Sequence, residues 1–176
     1  MQSLNRRRDE SDMIFFVPFI SIFFAVGFGM LGYGLWSTYR SLQAANWPKV
    51  TGILTSVEIK DKTDNDGTTY NVEVEYTYAV AGIEYHGSRL AFGYAGSSTW
   101  KTHNEIYQKL MGAKTVEVRY NPSDPATSTL SFGVHRSHQL LLTFAVTWLA
   151  FVSGFALLWW LISASDNTLL ENIVVK

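Results

Sequence analysis

The chain has 176 residues, no cysteine and a formal net charge of −1, and 47% of its residues are hydrophobic. The lack of thiols excludes disulfides, thiolate catalysis and cysteine-based zinc sites, and the balanced charge provides no basic field for binding nucleic acid. Only 16% of the residues are charged, against roughly 25% in typical soluble domains. The composition therefore predicts long apolar segments.

The first such segment, residues 13–36, carries no ionisable side chain except tyrosine and predicts a transmembrane helix. At a rise of about 1.5 Å per residue it crosses a hydrocarbon core of about 30 Å. A cleaved signal peptide is the alternative, but the apolar run is longer than the roughly 7 to 15 residues expected and no A-x-A site follows. We therefore expect an uncleaved anchor. Arg6, Arg7 and Arg8 predict that residues 1–12 are cytoplasmic.

The second uncharged segment, residues 139–162, ends in two tryptophans that suit a membrane interface. Two crossings return the chain to its starting side, so residues 163–176 are predicted to form a cytoplasmic tail. Residues 37–138 then form a periplasmic or extracellular domain. The sequence thus predicts a multi-pass protein of the inner (cytoplasmic) membrane, with both termini in the cytoplasm.

Both membrane segments carry small residues at helical spacing, which permits close approach of a partner backbone. We expect the two stripes to face each other in an antiparallel hairpin, with a homo-oligomer or another subunit as the alternatives. The helix-packing residues are Ser21, Ala25, Gly29 and Gly32 in the first segment and Thr143, Thr147, Ala150 and Gly154 in the second.

The central region alternates apolar and polar residues, the pattern of half-buried strands. A polar connector, residues 37–49, leads to a strand at residues 53–59, a turn at 65–67 and a longer strand at 70–80. On the latter strand the even-numbered residues are apolar and predicted to face the core. Ala81 and Gly82 then turn the chain into a third strand at 83–86.

Residues 97–111 change to helical spacing, with Ser97 or Ser98 as the predicted N-cap and Gly112 as the end. Strands are predicted again at 115–120 and, after a turn rich in proline, at 129–132. The fold class is therefore a membrane protein of the α+β class. Its two transmembrane helices flank a mainly antiparallel β-sandwich or partly open β-barrel with one short amphipathic helix.

Two patterns resemble functional sites. Residues 62–73 partly match a calcium-binding EF-hand loop, but Lys62 occupies the first ligand position and the segment reads as a hairpin turn. The four histidines, His86, His103, His135 and His138, have no spacing that makes them converge on a metal. We therefore predict no catalytic, metal or cofactor site and no enzymatic activity.

The order of several motifs resembles the bacterial "domain of unknown function 3592" family. These motifs are Trp47, Gly52, the strand Val72 to Tyr78, Gly82 with Tyr85, and the turn containing Tyr120, Asn121, Pro122 and Pro125 followed by Leu130. The resemblance implies a fold with membrane helices on both sides. Because this family is uncharacterised, the resemblance implies no catalytic residues.

From these patterns we expect a binding or accessory module held at the bilayer, with a protein partner or a second copy of the chain and without nucleic acid. One specific alternative is an immunity protein against a secreted toxin. Another is an oligomeric transport or channel component, although no charge within the membrane segments marks a path.

Overall fold

The computed structural model describes residues 2–65, 67–163 and 172, with side chains from Phe15 onward. The chain forms two compact units. The helix pair contains the residues up to Gly32 and those from Leu142 onward, and the β-domain runs from Tyr33 to Leu141. Asp66 of the predicted first turn and most of the predicted C-terminal tail, 164–171 and 173–176, lie outside the described residues.

Within the described residues, the helices and strands follow one another as α1 (Gln2–Gln43), a short 3-10 helix (Ala44–Asn46), β1 (Lys49–Asp64), β2 (Gly67–Val80), β3 (Ile83–Gly87), α2 (Trp100–Met111), β4 (Thr115–Asn121), β5 (Asp124–Thr129) and α3 (Arg136–Ser163). Thus α1 continues through most of the segment predicted as a connector. The helical run stops at Trp47, whose extended backbone is the conformation favoured before proline.

In the helix pair, α1 and α3 pack through aromatic side chains. The rings of Phe16 and Trp159 stack with centroids 4.4 Å apart, and Trp148 Nε1 donates a 3.0 Å hydrogen bond to the carbonyl of Phe23. Gly27 permits this approach, because a Cβ there would lie 2.5 Å from Leu149 Cδ2. The contact face therefore combines one glycine with large rings.

The predicted small-residue stripes do not form this contact, so the expected intramolecular packing of the two stripes is wrong. All eight residues are exposed in the structure, and a Cβ at Gly29, Gly32 or Gly154 would meet no atom within 4 Å. The physical reason is that stacked rings on another face bring more atoms into van der Waals contact than small side chains do.

The β-domain contains one antiparallel sheet in the order β3-β2-β1-β4-β5. Its centre is the long hairpin of β1 and β2, which pairs from Gly52 opposite Tyr78 to Asp64 opposite Gly67. Ala81 and Gly82 both have positive φ, 50° and 81°, which matches the two-residue turn that joins twisted antiparallel strands. The predicted turn between β2 and β3 is confirmed.

The sheet curls so strongly that β2 reaches β5, although β1 and β4 lie between them. The Tyr78 hydroxyl donates a 2.6 Å hydrogen bond to the carbonyl of Pro125. After β3 and β5, the two chain segments join through backbone bonds from Leu130 N to Arg89 O and from Ser131 N to Leu90 O. A single curled, open sheet contradicts the predicted sandwich and confirms the coarser prediction of an antiparallel sheet in an α+β fold.

The core lies on the concave face of the sheet. Val72, Val74, Tyr76 and Tyr78 are buried there with Val118 of β4, which confirms the alternation predicted for β2. Side chains of α2 also pack against this cluster: Ile106, Tyr107 and Leu110.

Two boundaries differ from the prediction. The helix α2 begins at Trp100 with Thr99 as its N-cap residue, because Ser97 is held in an extended bridge to Tyr70 by bonds of 2.8 and 3.0 Å. The last strand occupies Asp124–Thr129 rather than 129–132. Its polar end is buried because Ser128 and Thr129 find hydrogen-bond partners on other segments. The predicted end of α2 at Gly112 is confirmed.

Candidate functional site

Arg119 of β4 is buried, with 7% of its surface exposed, and it holds the end of the first helical run. Its NH1 group donates to the carbonyl of Ala45 at 2.5 Å and lies 3.5 Å from the carbonyls of Ala44 and Trp47. The end of a helix leaves carbonyls without partners and carries partial negative charge, so a guanidinium satisfies both. Glu117, 3.5 Å from NH2, provides a partly exposed counter-ion.

The segment before α3 is bound to α1 by a reciprocal pair of hydrogen bonds. Ser41 Oγ donates to the carbonyl of Gly133 at 2.8 Å, and Gly133 N donates to the carbonyl of Ser41 at 3.2 Å. Ser41 is fully buried, as is Ser37 one turn earlier. These contacts bring the end of α1 and the start of α3 together within the β-domain.

A histidine pair lies beside these serines. His138 is fully buried, and its Nδ1 accepts a 3.2 Å hydrogen bond from the backbone N–H of His135. The two imidazoles stack with centroids 5.4 Å apart. Burial, and secondarily the neighbouring His138, lower the pKa of His135. Gly93, at φ +67°, is needed here because a Cβ would lie 2.2 Å from His138 Nε2.

Two guanidinium groups pack on the ring of Phe92, the residue before Gly93. The Arg89 group lies 4.4 Å from the ring centroid and the Arg40 group 5.5 Å from it. Trp47 meets the same ring edge-on at 5.8 Å. We call this partly buried region of the β-domain the junction, defined by Ser37, Arg40, Ser41, Arg89, Phe92, Arg119, His135 and His138.

A second buried histidine connects α2 to the sheet. His103 Nδ1 lies 2.7 Å from the Tyr94 hydroxyl, and Nε2 lies 2.9 Å from Ser97 Oγ. The Tyr94 oxygen also accepts the N–H of Val72 at 3.0 Å, and burial raises the pKa of Tyr94. In a neutral imidazole one ring nitrogen donates and the other accepts, so His103 joins the two hydroxyl groups.

Ser97 Oγ also accepts the N–H of Thr99 at 3.3 Å, so both hydroxyl groups that meet His103 are bound to a backbone N–H as well. Burial lowers the pKa of His103, which favours the neutral ring that the arrangement requires. His103 thus fixes α2 against β2 through Tyr94.

The predicted motif residues lie at turns and close contacts. Gly52 faces Val118, whose Cγ2 would be 2.6 Å from an added Cβ. Asn121 Oδ1 accepts the N–H of Ser123 and closes the turn around Pro122, and the Pro125 carbonyl binds Tyr78 as described. The buried Trp47 and the half-buried Tyr120 complete the set, and Gly82 occupies the turn before β3.

Across the part of the chain that the structure describes, no three histidine or acidic side chains converge as metal ligands. His86 lies exposed on β3, away from the hydrogen-bonded histidines. In the EF-hand-like segment, Asp64 pairs with Gly67 at the end of the β1–β2 ladder. Sequence analysis did not identify the junction, because its arginines bind backbone carbonyls and rings that no local pattern marks.

Comparison with known families adds one finding. Residues 50–135 match the family described as "Domain of unknown function (DUF3592)". The matched residues lie within the β-domain, which we call the DUF3592 domain from here on. No curated protein and no solved structure matches the chain. The matched range of the DUF3592 domain includes Arg119, the Tyr94–His103 contact and His135, and it ends one residue before α3.

We predict that Arg119→Met lowers the free energy of unfolding of the DUF3592 domain by about 3 to 5 kcal/mol, the range for breaking a buried ionic contact. The reason is that three carbonyls at the end of the first helical run lose their cation. Thermal unfolding of the detergent-solubilised chain measures the effect.

Lys49→Met is the matched control, since Lys49 binds the same Glu117 carboxylate at 3.1 Å but is exposed. Its expected effect is within about 1 kcal/mol. Equal unfolding midpoints for the two variants would contradict the role of Arg119.

We predict that the DUF3592 domain loses stability on acidification through His103. Burial holds the folded-state pKa of His103 below its ordinary value of 6.5. Its stabilising contribution is therefore complete above about pH 6.5 and is lost as the pH falls toward the folded-state pKa, because the unfolded chain then binds the extra proton.

His103→Gln should flatten the dependence of the unfolding midpoint on pH between 7.5 and 5, although His135 contributes in the same direction. His86→Gln, at an exposed position, is the control. Identical pH profiles for wild type and His103→Gln would refute this prediction.

Proposed function

We propose that this chain is a two-pass membrane protein that presents its DUF3592 domain as a binding or accessory module. The observation that carries the membrane assignment is the exposure of both long helices. Only 6% and 11% of the most apolar 18-residue stretch of each is buried, whereas the rest of the protein would cover a core helix of a soluble domain. Uncovered phenylalanines and leucines along both helices fit a lipid solvent.

The contacts at the end of α1 favour a first helix that is not cleaved from the mature protein. The helix α1 continues without interruption from Gln2 to Gln43, and its last turns provide Ser37 and Ser41 to the interior of the DUF3592 domain. A signal peptide is removed from the mature protein, which would separate the domain from a helix with which it shares hydrogen bonds.

For the orientation we rely on the arginines at positions 6–8, since positive flanks remain on the cytoplasmic side. The proposal is a bacterial inner-membrane protein with both termini in the cytoplasm and the DUF3592 domain outside it.

A binding role is supported by the surface beside the β1–β4 pair. A shallow groove of about 280 Å³ is lined by Lys49, Val50, Thr51, Thr115, Val116 and Glu117. Ile53, paired with Thr115 in the ladder, leaves 60% of its surface exposed next to it. Ile53 and the groove together give a defined surface at which contact with a partner can be tested.

The membrane and orientation proposals predict that the chain remains in the pellet after alkaline carbonate extraction. A periplasm-active reporter inserted at the β1–β2 turn should be active, and a cytoplasm-active reporter there should be inactive. Release of the protein into the carbonate supernatant would contradict the membrane assignment, and the reverse reporter pattern would contradict the orientation.

The binding role predicts a discrete product when a photo-crosslinking amino acid replaces Ile53 in cells. Lys62, exposed on the same strand, is the matched control position, at which no product is expected. A domain that folds but gives equal or no products at the two positions would argue against a partner at this surface.

A further inference from the structure

The junction contains two buried arginine nitrogens that lack acceptors. Among the described residues, the buried side-chain atoms without a partner are all nitrogens: Arg40 Nε, Arg119 Nε, His135 Nε2 and His138 Nε2. The two arginine atoms can only donate. His138 Nδ1 accepts the N–H of His135, so a neutral His138 ring carries its proton at Nε2, and the Phe92 backbone acts as a hydrogen-bond partner of this ring that opposes the lowering of its pKa by burial.

These donors belong to one region of the DUF3592 domain. Arg40 and Trp47 both meet Phe92, and the next residue, Gly93, contacts His138. Arg119 reaches the carbonyl of Trp47. Buried donors without acceptors are unfavourable, so Arg40 Nε and Arg119 Nε favour a bound group that supplies acceptor oxygens.

The junction also has positive charge without matching negative charge. Arg119 has Glu117 as a counter-ion, but within the described part of the chain neither Arg40 nor Arg89 lies within ion-pair distance of a carboxylate. Both guanidinium groups lie within 5.5 Å of the centroid of the same Phe92 ring. Arg89 is exposed and Arg40 is half-buried. Arg89 NH1 donates to the Ser128 carbonyl at 3.3 Å, so an anion approaching from solvent meets the other outer nitrogens of the two groups.

We propose that the junction binds a phosphate group, held by Arg40 and Arg89 with the histidine pair behind them. Guanidinium groups bind phosphate through paired N–H···O bonds, and a ring that fixes their planes reduces the entropy lost on binding. The phosphate belongs either to a lipid headgroup or to a free phosphate ion. This inference rests on the proposed membrane function, because the ends of two spanning helices lie at the depth of lipid phosphates.

The test uses the full chain in mild detergent and measures the midpoint of thermal unfolding. Phosphatidylglycerol, phosphatidylcholine and inorganic phosphate are titrated separately at constant ionic strength. A ligand that binds the folded state raises the midpoint with concentration. A rise with phosphatidylglycerol but not with phosphatidylcholine or inorganic phosphate assigns the site to an anionic lipid, and a rise with inorganic phosphate assigns it to the free ion.

The double variant Arg40→Gln/Arg89→Gln should weaken the binding that raises the midpoint by about tenfold or more, since charge-assisted hydrogen bonds are lost. Lys62→Gln/Lys101→Gln removes the same charge at exposed positions on β1 and α2 and should bind as wild type does. If the double variant shows no cooperative unfolding transition, the single variant Arg89→Gln is tested instead. The side chain of Arg89 is exposed, so we expect this variant to fold.

No rise with phosphatidylglycerol or phosphate overturns the proposal, and so does unchanged binding in the arginine variants. Carbonate extraction of the same variants keeps the two ideas apart. Variants that stay in the membrane but lose the response support the phosphate site, while extraction of the wild type refutes the membrane function itself.

Discussion

The fold depends most on the contact between a buried cation and the end of a helix. Arg119 comes from β4, the strand beside the edge strand β5, yet its guanidinium satisfies carbonyls that follow α1. This one contact gives the carbonyls at the helix end a hydrogen-bond donor and gives the buried guanidinium its acceptors. The start of β1 is fixed by the same contact, since the chain passes directly from these carbonyls into the strand.

Buried hydroxyl and imidazole groups of the DUF3592 domain likewise form hydrogen bonds with distant parts of the chain. Tyr76 is an example, since its hydroxyl bonds to Ser128 and to the Arg89 carbonyl, and burial raises its pKa to about 12. Polar side chains inside the sheet connect segments that are distant along the chain. Such interior bonds specify one register of packing, which apolar contacts alone leave less defined.

The sequence was most informative where a structure depends on neighbouring residues. Strict alternation from Tyr70 to Val80 predicted both the strand and its buried face, and Gly82 and Gly112 marked a turn and a helix end. The sequence was least informative where the burial of a side chain depends on a partner that is distant along the chain. The polar run at residues 127–129 resembles a loop, but bonds to Tyr76 and to the Leu90 carbonyl bury its last two side chains.

The same limit applies to the candidate site. Lone arginines at 40, 89 and 119 carry no motif, and their role depends on rings and carbonyls that folding brings to them. The small-residue stripes gave the opposite error: a local pattern was clear, but the helices packed through rings around Gly27. The assignment of the two helices to the membrane depends on the length and the apolar composition of each helix, and both can be read from the sequence.

The way in which the curled sheet closes has a consequence for self-association. Exposed strand edges are the usual route by which β-proteins recruit further chains. Here the segments that follow β3 and β5 bond to each other at Leu90 and Ser131, so part of each margin is already occupied. Fewer backbone groups near the ends of the two edge strands are therefore available for pairing with another chain.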